Sequence, residues 1–267
     1  MPQDLNLLGV DVGSVSVSVA EIDGNLEIVH SVYAFHKGEP RRCLDDLLKE
    51  FDLSSIGGIA CASSTPPLVN SEGTYDDLVC LMTACRHLHG KVGSILVVGG
   101  EKFGLIRFDP QGNYLSYREN TSCAAGTGSF LDQQALRLRL KGIEELSSVA
   151  SGNQGDRPQI ASRCAVFAKT DLVHAQQEGY TVAGICDGLC YGLAKNIVDT
   201  VVSGTKPLAP IVFVGGVSLN SSVVRHLESL LGEKLIVDGN AAHGALGAAL
   251  MLHRDLPPAK RRPWWSG

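Results

Sequence analysis

The N-terminal part of the chain alternates between short apolar runs and turn residues, which is the pattern of a β-meander. Residues 7–12 form an apolar run that suits a buried strand. Residues 15–19 alternate with a period of two, as a half-buried strand does. Asp23-Gly24-Asn25 is typical of a hairpin turn, so residues 26–34 are predicted to return as a third strand.

The same pattern occurs a second time further along the chain. Residues 94–98 form another buried apolar run, which ends in Gly99-Gly100. Strands are predicted at 104–108 and 114–119, with a turn sequence between them. A repeated strand–turn–strand–turn–strand unit followed by helices indicates an internal duplication, and hence two related α/β lobes.

The rest of the chain is predicted to be mainly helical. Helices are expected at about 41–51, 75–89, 126–140, 164–177, 181–202, 219–231 and 242–253, and further strands at about 56–62, 210–214 and 234–237. We expect residues 1–90 and 240–254 to form the first lobe and residues 91–239 the second. Residues 255–267 are rich in proline and arginine, which indicates a tail or linker.

The composition is that of an ordinary globular protein. Of 267 residues, 44% are hydrophobic and 19% are charged, and the net charge is −5. A mildly acidic chain without a long basic run does not favour nucleic acid as a partner. There is no uninterrupted apolar stretch of about 18 residues and no basic N-terminal region with a cleavage site. We therefore expect no membrane segment and a cytoplasmic location.

Eight cysteines are present, and in a reducing compartment each is a core residue, a metal ligand or a reactive thiol. Cys186 and Cys190 are spaced as a helical i, i+4 pair that could chelate a metal. Because Ile185 and Leu189 share the same apolar neighbourhood, we interpret this pair as core packing.

Three glycine turns follow predicted buried strands, and together they indicate a nucleotide site. Any one of them alone is most simply a tight turn. Without a Cβ, glycine lets backbone N–H groups approach a phosphate or an adenosine closely. Asp11 is expected to hold Mg²⁺ through water, and Ser14 to hydrogen-bond a phosphate oxygen. The residues predicted to grip ATP or ADP are Asp11, Gly13, Ser14, Gly99, Gly100, Gly215 and Gly216.

Three further motifs give the sequence a family resemblance. They are NTSCAAGTGSFL at 120–131, CAVFA at 164–168 and GALGAAL at 244–250. With them, residues 7–252 resemble the activators of 2-hydroxyacyl-CoA dehydratases and the ATPase subunits of benzoyl-CoA reductases. The resemblance implies an actin/sugar-kinase/Hsp70-like (ribonuclease H-like) duplicated two-lobe fold with a nucleotide cleft. It also adds Gly244 to the expected cofactor-binding residues.

The same resemblance implies a metal centre. In that family each subunit supplies two cysteines, so a homodimer shares one [4Fe–4S] cluster, and the matching residues here are Cys123 and Cys164. Four thiolates from two chains require a symmetric pair of subunits. Each cysteine is expected just before a helix, whose N-terminal partial charge favours a thiolate. Small residues after Cys123 are expected to leave N–H groups open toward the cluster sulfurs.

Several positions depart from the family pattern. Val97 stands where the family has an acidic residue, and Lys102 where it has an aspartate. Val15 and Ser18 replace a common threonine and lysine, and residues 63–67, SSTPP, replace a Thr-Gly-Tyr-Gly type of turn. Glu101 stands where the family has a glutamine; it can still act as a base or water-positioning residue, and it is the candidate catalytic group.

Three functional hypotheses follow. The first is an ATP-dependent one-electron carrier, acting on a 2-hydroxyacyl-CoA dehydratase-like or acyl-CoA reductase-like enzyme and supplied by a donor such as ferredoxin or flavodoxin. The second is a hydrolysis-impaired, cluster-bearing docking or relay domain of a larger activase-like protein, which Val97 and Lys102 favour. The third is a small-molecule kinase, which leaves the Cys123 motif unexplained.

Overall fold

The computed structural model describes residues 5–120, 127–161, 163–202, 204 and 206–256. The chain divides into two compact units, one comprising Met1–Gly90 with Asn240–Gly267 and the other comprising Lys91–Gly239. Cys123 and nearly all of the predicted tail lie outside the described residues. Every helix in the described part of the chain is too short or too polar to span a membrane.

The first unit contains a five-stranded sheet of order β3-β2-β1-β4-β5. Its strands are β1 (Asn6–Val12), β2 (Ser16–Ile22), β3 (Ile28–Phe35), β4 (Ile56–Ala62) and β5 (Gly73–Tyr75). The strands β1, β2 and β3 are antiparallel neighbours, whereas β4 runs parallel to β1 and β5 runs parallel to β4. The N-terminal meander predicted from the alternating pattern is therefore present.

Three helices cover this sheet: α1 (Pro40–Leu48), α2 (Asp77–His89) and α8 (His243–Asp255). Alternate residues of β1 point to opposite faces. Leu8 and Val10 pack with Leu44 of α1, whereas Leu7 packs in a separate core with α2 and α8. Because β1 is covered on both faces, it is a nearly continuous apolar run.

The second unit contains a sheet of order β10-β9-β6-β7-β8. Its strands are β6 (Ser94–Val98), β7 (Phe103–Phe108), β8 (Tyr114–Glu119), β9 (Ile211–Val214) and β10 (Leu235–Ile236). Their directions repeat those of the first sheet: β6, β7 and β8 are antiparallel neighbours, β9 is parallel to β6, and β10 is parallel to β9. The predicted internal duplication is confirmed by this identical topology.

The helices of the second unit are α3 (Gly128–Arg137), α4 (Ile143–Ser151), α5 (Ala165–Gln177), α6 (Val182–Ile197) and α7 (Ser221–Leu231). They share one large core with β6, β7 and β9. The helix α6 is buried along most of its length. A π-helical turn, Val198–Val202, follows it, and a 3₁₀ turn, Gly216–Leu219, follows β9.

Candidate functional site

The carboxyl end of β1 carries the first predicted glycine turn. The N–H of Gly13 donates to the carbonyl of Ser16 at 2.9 Å. A Cβ added at Gly13 would come no closer than 3.8 Å to any neighbour, and Ser14 is exposed. Protein packing therefore does not require glycine here, which leaves the turn accessible to a ligand.

Asp11 lies two residues before this turn and is held in one orientation. The Ser64 hydroxyl donates to Asp11 Oδ1 at 3.0 Å, and Gly244 lies directly against Oδ2. Burial raises the pKa of Asp11 to about 6; the Ser64 hydrogen bond opposes that shift, and the nearby charge of Asp77 adds to it. The carboxyl group is thus largely ionised at neutral pH and can attract a cation.

Gly244 is the second residue of α8, and the reason for glycine at this position is steric. A Cβ there would overlap the carboxyl group of Asp11. One turn later, a Cβ at Gly247 would overlap the backbone carbonyl of Cys80 in α2. The glycines of the GALGAAL motif therefore let α8 approach β1 and α2 closely. Gly244 shapes the Asp11 site, and direct contact of Gly244 with a nucleotide stays a prediction.

The second glycine turn has the same hydrogen bond as the first. The N–H of Gly99 donates to the carbonyl of Lys102 at 2.8 Å, and a Cβ at Gly99 would meet only that carbonyl oxygen, at 3.5 Å. Glu101 and Lys102 are both exposed on this turn. An acid and a base side by side give the turn no net charge.

The third turn lies beside the second, because β9 is the parallel neighbour of β6 and Val97 is paired with Val214. Gly215 has a φ of +90°, and a Cβ there would overlap the carbonyl of Val98. Gly216 begins the 3₁₀ turn. The structure thus brings Gly99, Gly100, Glu101, Gly215 and Gly216 to one edge of the second sheet.

The start of α3 is bonded to the second glycine turn. The N–H of Gly128 donates to the carbonyl of Gly99 at 3.1 Å, and the N–H of Ser129 donates to that of Gly100 at 2.9 Å. The helix begins at Gly128, within two residues of the predicted start. The expectation that the small residues after Cys123 leave their N–H groups open toward cluster sulfurs is therefore wrong for Gly128, since the turn already accepts its hydrogen bond.

Cys164 is the N-cap residue of α5. Its backbone is extended, with φ −122° and ψ 113°, and its carbonyl accepts the N–H of Ala168 at 2.9 Å. The Cys164 side chain makes no capping hydrogen bond to this helix start, and Cys164 is partly exposed. Two residues of the first turn, Val166 and Phe167, are 69% and 66% exposed. A partly exposed thiol at the start of a helix is accessible to a metal.

Most of the other described cysteines are unsuited to that role. Cys61, Cys80, Cys85, Cys186 and Cys190 are buried. Burial raises the pKa of Cys80 to about 12 and that of Cys186 to about 11, and it raises the pKa of Cys190 further. Such groups stay protonated at neutral pH. The interpretation of Cys186 and Cys190 as core residues is confirmed.

Comparison with known proteins places the chain among its relatives. The sequence profile of the BadF/BadG/BcrA/BcrD ATPase family matches residues 71–251. This chain belongs to that ATPase family. The activator of lactoyl-CoA dehydratase from Anaerotignum propionicum is 30% identical over 91% of this chain and 95% of the relative. The family predicted from the NTSCAAGTGSFL and CAVFA motifs is confirmed.

Solved structures agree with the family assignment. The activator of the 2-hydroxyisocaproyl-CoA dehydratase from Clostridium difficile, solved with bound ADPNP, has a TM-score of 0.82 at 26% identity, covering 92% of this ATPase-family chain and 94% of the other. A ROK-family glucokinase from Streptomyces griseus shares the fold alone, with a TM-score of 0.51 at 12% identity, covering 92% of this chain and 98% of the kinase. The predicted actin/sugar-kinase-like α/β fold is confirmed.

Sequence reasoning missed the residues that surround Asp11. Ser64 follows β4, which is the parallel neighbour of β1, so both strands end at the same edge of the sheet. Polar residues directly after a buried strand are the signal that indicates this position. Asp77 begins α2 and accepts a hydrogen bond from the Ser64 N–H at 2.9 Å. No sequence pattern connects Asp77 with Asp11, because the two are joined only through the folded loop.

Proposed function

We propose that this chain is an ATP-dependent activator that passes single electrons to a CoA-ester enzyme through a [4Fe–4S] cluster shared by two copies of the chain. Cys123 and Cys164 of each copy would hold the cluster. Asp11 would hold Mg²⁺, and Glu101 would orient the attacking water. The three glycine turns and Ser14 would bind ATP or ADP.

The glycine turns support the nucleotide part of the proposal. Gly13 and Gly99 have room for a side chain that the sequence does not place there. A backbone open to close approach is what phosphate groups need. A solved relative carries ADPNP, which is an ATP analogue. Gly215 and Gly244 differ, because packing already explains them, so their role here is to shape the two sheet edges.

Cys164 supports the cluster part. Its partly exposed thiol lies at the start of α5, where the helix dipole stabilises negative charge by about 0.3–1 kcal/mol. When bound, the cluster would accept and release one electron reversibly. One chain provides two ligands, so four ligands require a homodimer.

The hydrogen bonds between the Gly99–Gly100 turn and α3 carry the proposal. The carbonyls of these glycines accept the N–H groups of Gly128 and Ser129, five and six residues after Cys123. A ligand that moves the turn would also move the start of α3. Two hydrogen bonds thus join the proposed nucleotide turn to the start of α3, which follows the proposed cluster ligand Cys123 in the chain. Through them, ATP and ADP could affect the cluster differently.

The partner is proposed from the names of relatives. Activators of lactoyl-CoA dehydratase and 2-hydroxyisocaproyl-CoA dehydratase resemble this chain over most of its length. We therefore propose a 2-hydroxyacyl-CoA dehydratase-like or acyl-CoA reductase-like enzyme as electron acceptor. A ferredoxin or flavodoxin would be the electron donor.

Anaerobic reconstitution with iron and sulfide tests the cluster. We expect about four iron atoms per dimer and an iron–sulfur absorption band that dithionite bleaches. Cys123→Ala and Cys164→Ala should each lose both. Cys43→Ala is the matched control, since Cys43 is also partly exposed but lies in the first unit. Full iron loading of the Cys123→Ala dimer would contradict the assignment.

A second candidate function is a relay domain that binds nucleotide without turnover. Val97 on β6 and Lys102 on the second turn place no carboxylate at the two positions where the family pattern has one. Phosphate release by the wild type, compared with a Val97→Asp, Lys102→Asp double variant, separates the two functions. Release by the wild type supports the activator ATPase. Release only by the double variant supports the relay domain.

A further inference from the structure

The loop after β4 crosses the carboxyl end of β1, and its polar side chains are bonded on both sides. Thr65 Oγ1 accepts the N–H of Val12 at 3.0 Å. The Ser64 hydroxyl donates to Asp11 Oδ1 at 3.0 Å. The Ser63 hydroxyl donates to Asp77 Oδ1, also at 3.0 Å. The loop therefore connects the start of α2 to the end of β1.

Asp77 anchors this loop and is not the N-cap residue of its own helix. Asp76 is the N-cap of α2, and its carboxylate accepts the N–H groups of Leu78 and Val79. This leaves the Asp77 carboxylate for the loop, where Oδ1 accepts both the Ser63 hydroxyl and the Ser64 N–H. These two charge-assisted hydrogen bonds, one from Ser63 and one from Ser64, fix the loop more firmly than bonds to a neutral acceptor would.

Ser64 in turn fixes Asp11. Its N–H is bonded to Asp77 while its hydroxyl is bonded to Asp11, so one residue joins the two carboxylates. Gly244 confines Asp11 from the other side. With Ser64 displaced, Asp11 would be free to rotate, and a cation bound to it would lose a preorganised ligand.

We propose that Asp77 is a positioning residue for the Mg²⁺–nucleotide site, acting on Asp11 through Ser64. The inference rests on the proposed nucleotide-binding function. It assigns Asp77 to an indirect role: the carboxylate contacts neither metal nor nucleotide but sets the orientation of the residue that binds the metal. Removing it should therefore weaken the binding of magnesium-loaded nucleotide and leave metal-free nucleotide nearly unaffected.

The test measures the dissociation constant of ADP by calorimetry, once with Mg²⁺ and once with a chelator, in the full chain. The readout is the dissociation constant with chelator divided by the dissociation constant with Mg²⁺. A purely structural defect would change both constants and leave this ratio as it is. Asp77→Ala and Ser64→Ala should each lower this ratio about tenfold, the size of one charge-assisted hydrogen bond. Asp77→Asn keeps an acceptor oxygen for the Ser64 N–H and should retain most of the ratio.

Asp76→Ala is the matched control. It removes the cap of the same helix, and it should leave the ratio as in the wild type. Should Asp77→Ala fail to fold, Ser64→Ala decides the question, because it keeps the loop's backbone bond to Asp77. A ratio unchanged in Ser64→Ala, or an Asn variant as defective as the Ala variant, overturns the positioning role. Absence of ADP binding by the wild type overturns the proposed function instead.

Discussion

Asp11 in β1 and Val97 in β6 occupy the same position in two copies of one sheet. Asp11 is paired with Ser18 across the first hairpin, and Val97 with Gly104 across the second. Each lies two residues before a turn that is closed by an N–H···O hydrogen bond, donated by Gly13 in one copy and by Gly99 in the other. The duplicated edges therefore share a backbone geometry but differ in charge.

Because of this difference, the two sheet edges offer different side chains to a cation. The first keeps a carboxylate that is held by Ser64 and Gly244. The second has an aliphatic side chain at the same place and an exposed acid–base pair, Glu101 and Lys102, on the turn. Cation binding is thus expected at the first sheet edge.

The glycines of the turns should fall into two classes on substitution. Gly99→Ala should fold normally, since its Cβ would meet only a carbonyl oxygen at 3.5 Å, but it should bind ADP at least about tenfold more weakly. Gly215→Ala should lower the free energy of unfolding by about 2–5 kcal/mol. The alanine would have to adopt the φ of +90° that glycine has here, and its Cβ would clash with the carbonyl of Val98. Denaturant unfolding and calorimetry check both. If Gly99→Ala unfolded more easily while Gly215→Ala lost only ADP binding, the argument that the Gly99 turn is open for a nucleotide would be refuted.

Asp11→Asn should stabilise the nucleotide-free protein at neutral pH. Burial raises the pKa of Asp11 to about 6, so the folded state binds its proton more tightly than the unfolded state does. The protonated Asp11 makes its full contribution to the free energy of unfolding below about pH 4, and this contribution is lost as the pH rises through 6. The variant should gain on the order of 2–3 kcal/mol at pH 7.5 and little at pH 4. Unfolding curves across this range provide the measurement.

Asp52→Asn is the control for that titration. Hydrogen bonds from Ser54 lower the pKa of Asp52, so its contribution to stability is present at neutral pH and lost as the pH falls. Its substitution should give no gain at pH 7.5. An equal gain in both variants would show that net charge, not burial of Asp11, is responsible.

Gly247→Ala tests the packing role of the GALGAAL motif. A Cβ there would overlap the backbone carbonyl of Cys80, so α8 must move away from α2. We expect a loss of roughly 2–3 kcal/mol in the free energy of unfolding. Gly152→Ala at the end of α4 is the control, because its nearest contact is 3.5 Å and its φ is −81°. Wild-type stability of the Gly247 variant would disprove the close-packing explanation.

Asp187→Ala should destabilise the second unit. Asp187 Oδ1 accepts hydrogen bonds from Arg225 at 2.6 Å and His226 at 2.7 Å, and burial lowers the pKa of His226. Removing the buried carboxylate leaves the buried His226 ring without this partner, whereas the half-exposed Arg225 can be hydrated, and it should cost roughly 2–3 kcal/mol. Asp199→Ala breaks an exposed pair with Lys195 and should cost at most about 1 kcal/mol. Thermal unfolding compares the two, and equal losses would contradict the argument.

The regular parts of the fold could be predicted because their signals are local. The strands at 56–62, 94–98 and 114–119 have the predicted bounds, since each is an apolar or alternating run with turn residues beside it. β5 was missed because it is three residues long and exists only by pairing with β4. α4 was also missed; it begins after Gly142, without a side-chain cap to mark its start.

The sequence by itself determined the duplicated sheets, the glycine turns and the family, because strand periodicity, turn chemistry and short motifs are written in consecutive residues. Only the tertiary structure decided that Gly215 and Gly244 are required by packing, and that Gly99 and Gly100 are bonded to the start of α3. It also decided that Asp77 reaches Asp11 through Ser64. These relationships join residues far apart in the chain, and steric exclusion and hydrogen bonding between such residues exist only once the sheet edges have formed.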